Sequence, residues 1–257
     1  MKQSIEKYSR ILNRITSESQ RIFGSNLTGI YLHGSAVMDC FSPERSDIDL
    51  LFIINDDITS DEKRAFLEVI SELDKSAPPK GLELSIVKRE YCRPFVYPTP
   101  YEFHFSGFYR ENAESDPNGF IEKMKGFDPD LAAHFTITCH RGKTLFGLPI
   151  PEVFEAPSRE AYFESIFYDI QNAEEDILNS PVYIILNLCR VLAYAKENRI
   201  LSKKEGGEWG MKNLPEEYRG LAESALMYYT AGSEFSCSSA LSAEYASSML
   251  NEIEKYK

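Results

Sequence analysis

The sequence predicts an α+β chain in two parts: a mixed-sheet α/β domain over residues 1–150, followed by an all-α helical bundle over 151–257. Three observations carry this prediction. Before residue 90, apolar runs of strand length alternate with stretches of helical spacing. From Gly147 the segment GLPIPEVFEAPSRE holds three prolines and sustains no period, which marks a crossover. Beyond it the strand signals fade, and only helical spacing remains.

Taken in order, Ile5, Tyr8, Ile11, Leu12, Ile15 and Ile22 recur at helical spacing, and Gly24 is suited to end that helix. The period then changes. Leu27–Leu32 reads as a strand, Asp49–Ile54 (DLLFII) as a buried strand, and Leu82–Val87 as a third with Leu82, Leu84 and Ile86 on one face. Between the second and third, T-S-D-E at 59–62 is a capping box that opens a helix. In the second part Phe163, Ile166, Phe167, Ile170 and Ile177 predict one helix. Ser180 as N-cap with Pro181 at the first helical position predicts another through Leu192, and further helices follow Pro215 and Ser239.

Charge narrows the partners. Forty Asp and Glu against 28 Lys and Arg leave a formal net charge of −12, which repels polyphosphate and excludes a general nucleic-acid binder. A cationic or small-molecule partner fits better. No apolar run approaches the roughly 20 residues that cross a bilayer, so no membrane association is expected. The N-terminus MKQSIEKYSR leads into no apolar signal segment. The five cysteines are odd in number and scattered, as expected of reduced thiols in the cytoplasm.

The chemistry concentrates in GIYLHGSAVMDCFSPERSDIDLLFII, residues 29–54. A strand delivers the chain to Gly34-Ser35, where the missing side chain lets backbone amides approach a phosphate and the serine hydroxyl donates to it. Ser46-Asp47-Ile48-Asp49 then enters the most hydrophobic strand. Alternation turns Asp47 and Asp49 to one face and Ile48 into the core. Two carboxylates beside a phosphate-binding turn are what oxygen-seeking magnesium ions need. Glu83, which interrupts the apolar pattern of the third strand, is a third carboxylate that either binds metal or serves as general base. Arg141-Gly142-Lys143-Thr144 has the ending of a P-loop but Ile137 stands where that motif requires glycine, so it is set aside.

Gly-Ser followed by D-I-D at the head of an apolar strand resembles the signature of the nucleotidyltransferase superfamily, and that resemblance implies that the first domain is a nucleotidyltransferase domain. The likeness goes further. GLELSIVKREYCRPFVYPTPYEFHFSGF at 81–108, D-P-D-L-A at 128–132, L-F-G at 145–147 and NLCRVLAYAKENRILSKKEGGEW at 187–209 resemble, in the same order, the bacterial streptomycin/spectinomycin adenylyltransferases.

That resemblance implies transfer of AMP from ATP to a hydroxyl of an aminocyclitol antibiotic, with release of pyrophosphate, by a monomer whose active site lies between the two domains. Gly34 and Ser35 would meet the triphosphate, Asp47 and Asp49 hold Mg2+, and Glu83 match the catalytic base. Arg190 and Lys203 fall on the family's nucleotide-phosphate contacts, with Lys204 the neighbouring alternative. Phe108 stands where some members carry tryptophan, and Asp176 lies near an acidic substrate position. Trp209 is the sole tryptophan, so the one that streptomycin-modifying members set against their drug is missing, which favours spectinomycin. The aromatic cluster from Tyr91 to Tyr109 is expected to pack between the domains, and Glu102 within it to neutralise a drug amine. Two competing readings are transfer to a protein or RNA acceptor and a non-catalytic nucleotide-binding regulator.

Overall fold

The computed structural model describes residues 5–257, in two compact units, one ending at Ser158 and the other starting at Arg159. In the first unit, helix α1 (Ser9–Phe23) leads through Gly24, at φ 52°, to strand β1 (Leu27–Leu32). Strand β2 (Ile48–Ile54), helix α2 (Ser60–Asp74) and strand β3 (Leu82–Lys88) follow. The capping box forms as the sequence predicts: Glu62 N–H donates to Thr59 Oγ1 at 3.2 Å, and Thr59 N–H to Glu62 Oε2 at 2.7 Å. After β3 come the short strands β4 (Thr99–Tyr101) and β5 (Phe103–Phe105), helices α3 (Arg110–Ser115) and α4 (Pro117–Lys123), and strand β6 (Gly126–Asp128). Helix α5 (Leu131–Arg141), strand β7 (Lys143–Gly147) and the single turn α6 (Ile150–Val153) complete the unit.

The main sheet runs β5-β3-β2-β1-β7, and β4 pairs separately with β6. It is mixed: β2 and β3 are parallel, while β1 is antiparallel to both β2 and β7. Period-two alternation divides its side chains between two cores. Ile48, Leu50, Phe52 and Ile54 with Leu82, Leu84 and Ile86 pack toward α1 and α2, joined by Phe66 and Phe103. Leu51, Ile53 and Val87 face the other way, onto Leu131 and Phe135 of α5 and onto Val153 and Phe154. All seven residues of β2 are buried. Its six apolar side chains contribute roughly 1.5–3 kcal/mol each to folding, which holds the strand rigidly in register.

Phe103 and Phe105, expected between domains, are buried in this unit's own core, and Phe95 packs on Phe135 within the same unit. Lying on the edge strand β5, Phe103 and Phe105 turn onto the core packed against α2 and α4, where Phe103 meets Phe66 and Phe120.

The second unit is all helical: α7 (Arg159–Tyr168), α8 (Ala173–Asp176), α9 (Pro181–Glu197), α10 (Lys203–Asn213), α11 (Glu216–Ala231) and α12 (Ser239–Glu254). It departs from the sequence reading twice. The single helix expected over Phe163–Ile177 is broken after Tyr168, where Asp169 gives its carboxylate to Tyr183 and Asn187 on α9 instead of continuing the turn. Lys203 and Lys204 open α10, which has no counterpart among the helices expected above. Asn198, at φ 55°, ends α9, and Ser202 caps the new helix by accepting from Glu205 N–H at 3.1 Å. Among the described residues no helix is long and apolar enough to cross a membrane.

Candidate active site

The parallel pairing of β2 with β3 sets Asp49 directly opposite Glu83. Their shared face is that of Leu51 and Val87, so both carboxylates point toward α5 while Ile48 and Leu82 turn into the opposite core. The register is fixed from outside the ladder as well. Ile48 N–H donates to Gly81 O at 3.0 Å, and Leu82 N–H to Asp74 Oδ1 at 2.8 Å. Asp74 is itself held by Arg110 Nε at 2.5 Å. Upstream, Ser46 N–H donates to Ser42 O at 2.8 Å, closing the turn that delivers Asp47.

Asp47, Asp49 and Glu83 each present a carboxylate oxygen within 4.8 Å of the other two. At that spacing each like-charged pair repels by about 3–4 kcal/mol at an effective dielectric of about 20, so the group calls for a cation. Its donors are all hard oxygens, and ligand oxygens on one Mg2+ lie roughly 3–4 Å apart, so the set fits that ion.

The turn after β1 closes the site from the other side. His33 N–H donates to Asp49 O at 3.1 Å, and residues 34–36 form one turn of 3-10 helix. Gly34 has φ 62°, and a Cβ there would lie 1.9 Å from Asp49 Oδ2. Only glycine accepts that backbone while leaving room for the aspartate. Ser35 Oγ is buried and, among the described residues, lacks a hydrogen-bond partner. A buried hydroxyl left unpaired costs about 1–3 kcal/mol, and an arriving phosphate oxygen would satisfy it.

The sequence reading missed the histidines. Three of the chain's four gather here. His134, on α5, lies 3.2 Å from Asp130 Oδ2 and 3.9 Å from Glu83 Oε1, and its ring meets that of His33 at 4.7 Å between centroids. Burial opposes its charge, but Asp130, Glu83 and Asp49 outweigh burial and push its pKa up to about 10. Burial, then the neighbouring His134, pushes His33 well below the ordinary value. His104 lies 2.9 Å from Ser85 Oγ and is pushed down to about 4, by burial first. One sequence signal could have found the pair: Asp130 and His134 are spaced i, i+4, the spacing that shares a helix face.

The other residues singled out from the sequence fall elsewhere. Glu102 is 3 % exposed, with its carboxylate 3.0 Å from Lys125 Nζ and 3.7 Å from Lys88 Nζ, so its charge is already met inside the protein. Phe108 is 83 % exposed, its ring edge-on to Tyr109. Asp176 sits exposed at the end of α8. Arg141 ends α5 and Lys143 starts β7, a helix-to-strand order opposite to that of a P-loop.

In the second unit Arg190 and Lys203 come together. Arg190 donates from Nε to Leu201 O and from Nη1 to Asn187 Oδ1, both at 2.8 Å. Lys203 Nζ stands 4.3 Å over the Tyr183 ring, whereas Lys204 faces Glu208 at 3.8 Å. A Cβ at Gly206 would lie 2.6 Å from Arg190 Cγ, so the start of α10 approaches Arg190 closely because this position is glycine.

Residues 152–252 match the family model described as aminoglycoside adenylyltransferase, C-terminal domain. A spectinomycin 9-adenylyltransferase of Staphylococcus aureus is 26% identical over 212 residues, spanning 81% of this chain and 80% of the relative. One from Campylobacter jejuni is 21% identical over 229 residues, spanning 88% and 87%. In fold, the chain is similar to the spectinomycin adenyltransferase AAD(9) from Enterococcus faecialis, crystallised with ATP and spectinomycin. The TM-score is 0.81 at 20% identity, covering 96% of this chain and 99% of that one. The chain is thus similar to aminoglycoside adenylyltransferases over most of its length, and to that family's C-terminal domain over residues 152–252.

Proposed function

We propose that this protein transfers AMP from ATP to a hydroxyl group of spectinomycin, releasing pyrophosphate and inactivating the drug. The observation that carries the reading is the convergence of Asp47, Asp49 and Glu83 beside the unpaired hydroxyl of Ser35. Acidic side chains gather where a cation and a proton must be handled, and a neutral donor waits where an anion must be received. The similarity to spectinomycin 9-adenylyltransferases and to AAD(9), crystallised with ATP and spectinomycin, supports the choice of ATP and drug.

Glu83 accepts the proton of the drug hydroxyl. The hydroxyl oxygen forms a bond to the α-phosphorus, the bond from that phosphorus to the bridging oxygen of the β-phosphate breaks, and pyrophosphate leaves with the electron pair. Asp47 and Asp49 would hold Mg2+, which when bound neutralises charge on the triphosphate. Ser35 Oγ and the backbone at Gly34 orient the phosphates. Arg190 and Lys203 offset phosphate charge in a chain with too few cations elsewhere. Asp49, held rigidly by the buried β2, keeps the metal-binding side of the site fixed relative to Glu83.

The protein is read as acting as a cytoplasmic monomer on a cationic aminocyclitol. Glu102 is not assigned to that drug, since Lys125 and Lys88 occupy it. Phe108, strongly exposed, is kept as a surface against which the drug packs, and Asp176 as an exposed charge for a drug amine. The test is incubation with ATP, Mg2+ and a panel of spectinomycin, streptomycin and other aminoglycosides, with adenylylated drug read by mass. Adenylylated spectinomycin is the expected product. No product with any member of the panel would overturn the assignment.

A further inference from the structure

Between α7 and α9 lies a polar network that the reaction above does not use. Asp169, at the break after α7, accepts through both carboxylate oxygens: Tyr183 Oη donates to Oδ1 at 2.8 Å and Asn187 Nδ2 to Oδ2 at 2.9 Å. Each of these donors leads on to one of the two cations. Asn187 Oδ1 receives Arg190 Nη1 at 2.8 Å, and the Tyr183 ring lies under Lys203 Nζ at 4.3 Å.

Chemistry fixes the direction of the network. An ionised carboxylate only accepts and a guanidinium only donates, so the Asn187 amide has one orientation that serves both. Asn187 is buried, at 1 % exposure, so a flipped amide would face an acceptor with an acceptor and a donor with a donor. Arg190 is held at a second point by Leu201 O, which leaves its guanidinium little rotational freedom. Tyr183 works through its face, toward which a cation is drawn, while its hydroxyl is tied back to Asp169.

We propose that Asp169 is a positioning residue for nucleotide recognition: by holding Tyr183 and Asn187 it pre-orients Lys203 and Arg190 for the phosphates of ATP. The inference rests on the reading of Arg190 and Lys203 as phosphate contacts. It accounts for the α7 break, because a helix continued through Asp169 would withdraw the carboxylate from α9. It also separates Lys203 from Lys204, since only the former stands in the network. A flexible lysine and arginine lose side-chain entropy when they grip a ligand, and a scaffold that has already restricted them reduces that cost.

The experiment measures ATP affinity by calorimetry on the full chain with Mg2+, together with the drug KM and the thermal midpoint. Asp169→Asn is expected to weaken ATP binding by about tenfold, the loss typical of a hydrogen bond to a charged group, with spectinomycin KM unchanged. Arg190→Ala is expected to weaken ATP binding as well, and the double variant to lose less than the product of the two single losses. If Arg190→Ala binds ATP normally, the assignment of Arg190 itself fails and takes this inference with it. If Arg190→Ala is impaired while Asp169→Asn binds as wild type, or if the two losses multiply in full, the positioning role alone is overturned. Should Asp169→Asn lack a cooperative thermal transition, Tyr183→Phe carries the test. Its loss of affinity should vanish in a Lys203→Ala background, and a loss of equal size in both backgrounds would refute the role.

Discussion

Replacing Gly34 by alanine tests the site at its narrowest point. The added Cβ would lie 1.9 Å from Asp49 Oδ2 and 2.4 Å from Asp49 Cγ. To reach an ordinary contact of 3.4 Å the carboxylate must retreat by about 1.5 Å. The backbone at φ 62° adds about 1–2 kcal/mol of strain for a residue with a side chain. Asp49 cannot retreat by shifting β2, whose seven residues are buried, so its side chain must rotate away from Asp47 and Glu83. We expect the first unit to lose about 2–3 kcal/mol, with a fall of about 4–12 °C in its thermal midpoint. We expect turnover to drop by about a hundredfold, the scale set by an ångström of misplacement, and half-saturation to need more Mg2+. The assay is initial AMP-transfer rate against Mg2+ concentration, paired with a thermal scan. A Gly34→Ala protein with wild-type rate at limiting Mg2+ would refute the reasoning, whatever its stability.

Ser35→Ala removes a hydroxyl that has no partner among the described residues, so the thermal midpoint should hold or rise while KM for ATP increases about tenfold; destabilisation with unchanged KM would contradict this. Glu83→Gln should lower kcat by about 10²–10⁴ while calorimetric ATP affinity stays near wild type, and retained turnover would remove it as the base. His104 sets a pH dependence of stability. Its folded pKa of about 4 lies below the ordinary 6.5, so the neutral form favours folding; the contribution is present above about pH 6.5 and lost as pH falls toward 4. It amounts to about 3 kcal/mol at most, and urea midpoints measured from pH 7 to 4 should fall less steeply in His104→Gln than in wild type. Identical slopes would sink this assignment.

The strands that carry the site were legible because buried β-structure writes itself in period two. DLLFII and LELSIV each announced a buried face, and alternation turned Asp49 away from Ile48 and Glu83 away from Leu82. What alternation could not state was adjacency. Only the parallel register sets Asp49 opposite Glu83, and a register between distant segments leaves no local trace.

His134 and Asp130 escaped for the same reason, since they reach the site from α5 and their relation to Glu83 is purely tertiary. Helix α10 was legible but masked. Ser202-Lys203-Lys204-Glu205 is a capping box like the one that announced α2, yet Gly206-Gly207 lowers helix propensity just behind it. Those glycines are there because Arg190 and Leu186 leave no room for side chains. Glu102 illustrates the opposite failure. A carboxylate among aromatics reads as available for a ligand, but Lys125, distant in sequence, already meets it.

The central claim is that the bond broken lies at the α-phosphorus, with the drug hydroxyl as the acceptor. ATP labelled at the α-phosphate in one reaction and at the γ-phosphate in another, each with spectinomycin and Mg2+, separates the possibilities. The account predicts α-label on the drug and γ-label only in pyrophosphate. Finding γ-label on the drug, or no label on it from either nucleotide, would contradict the account.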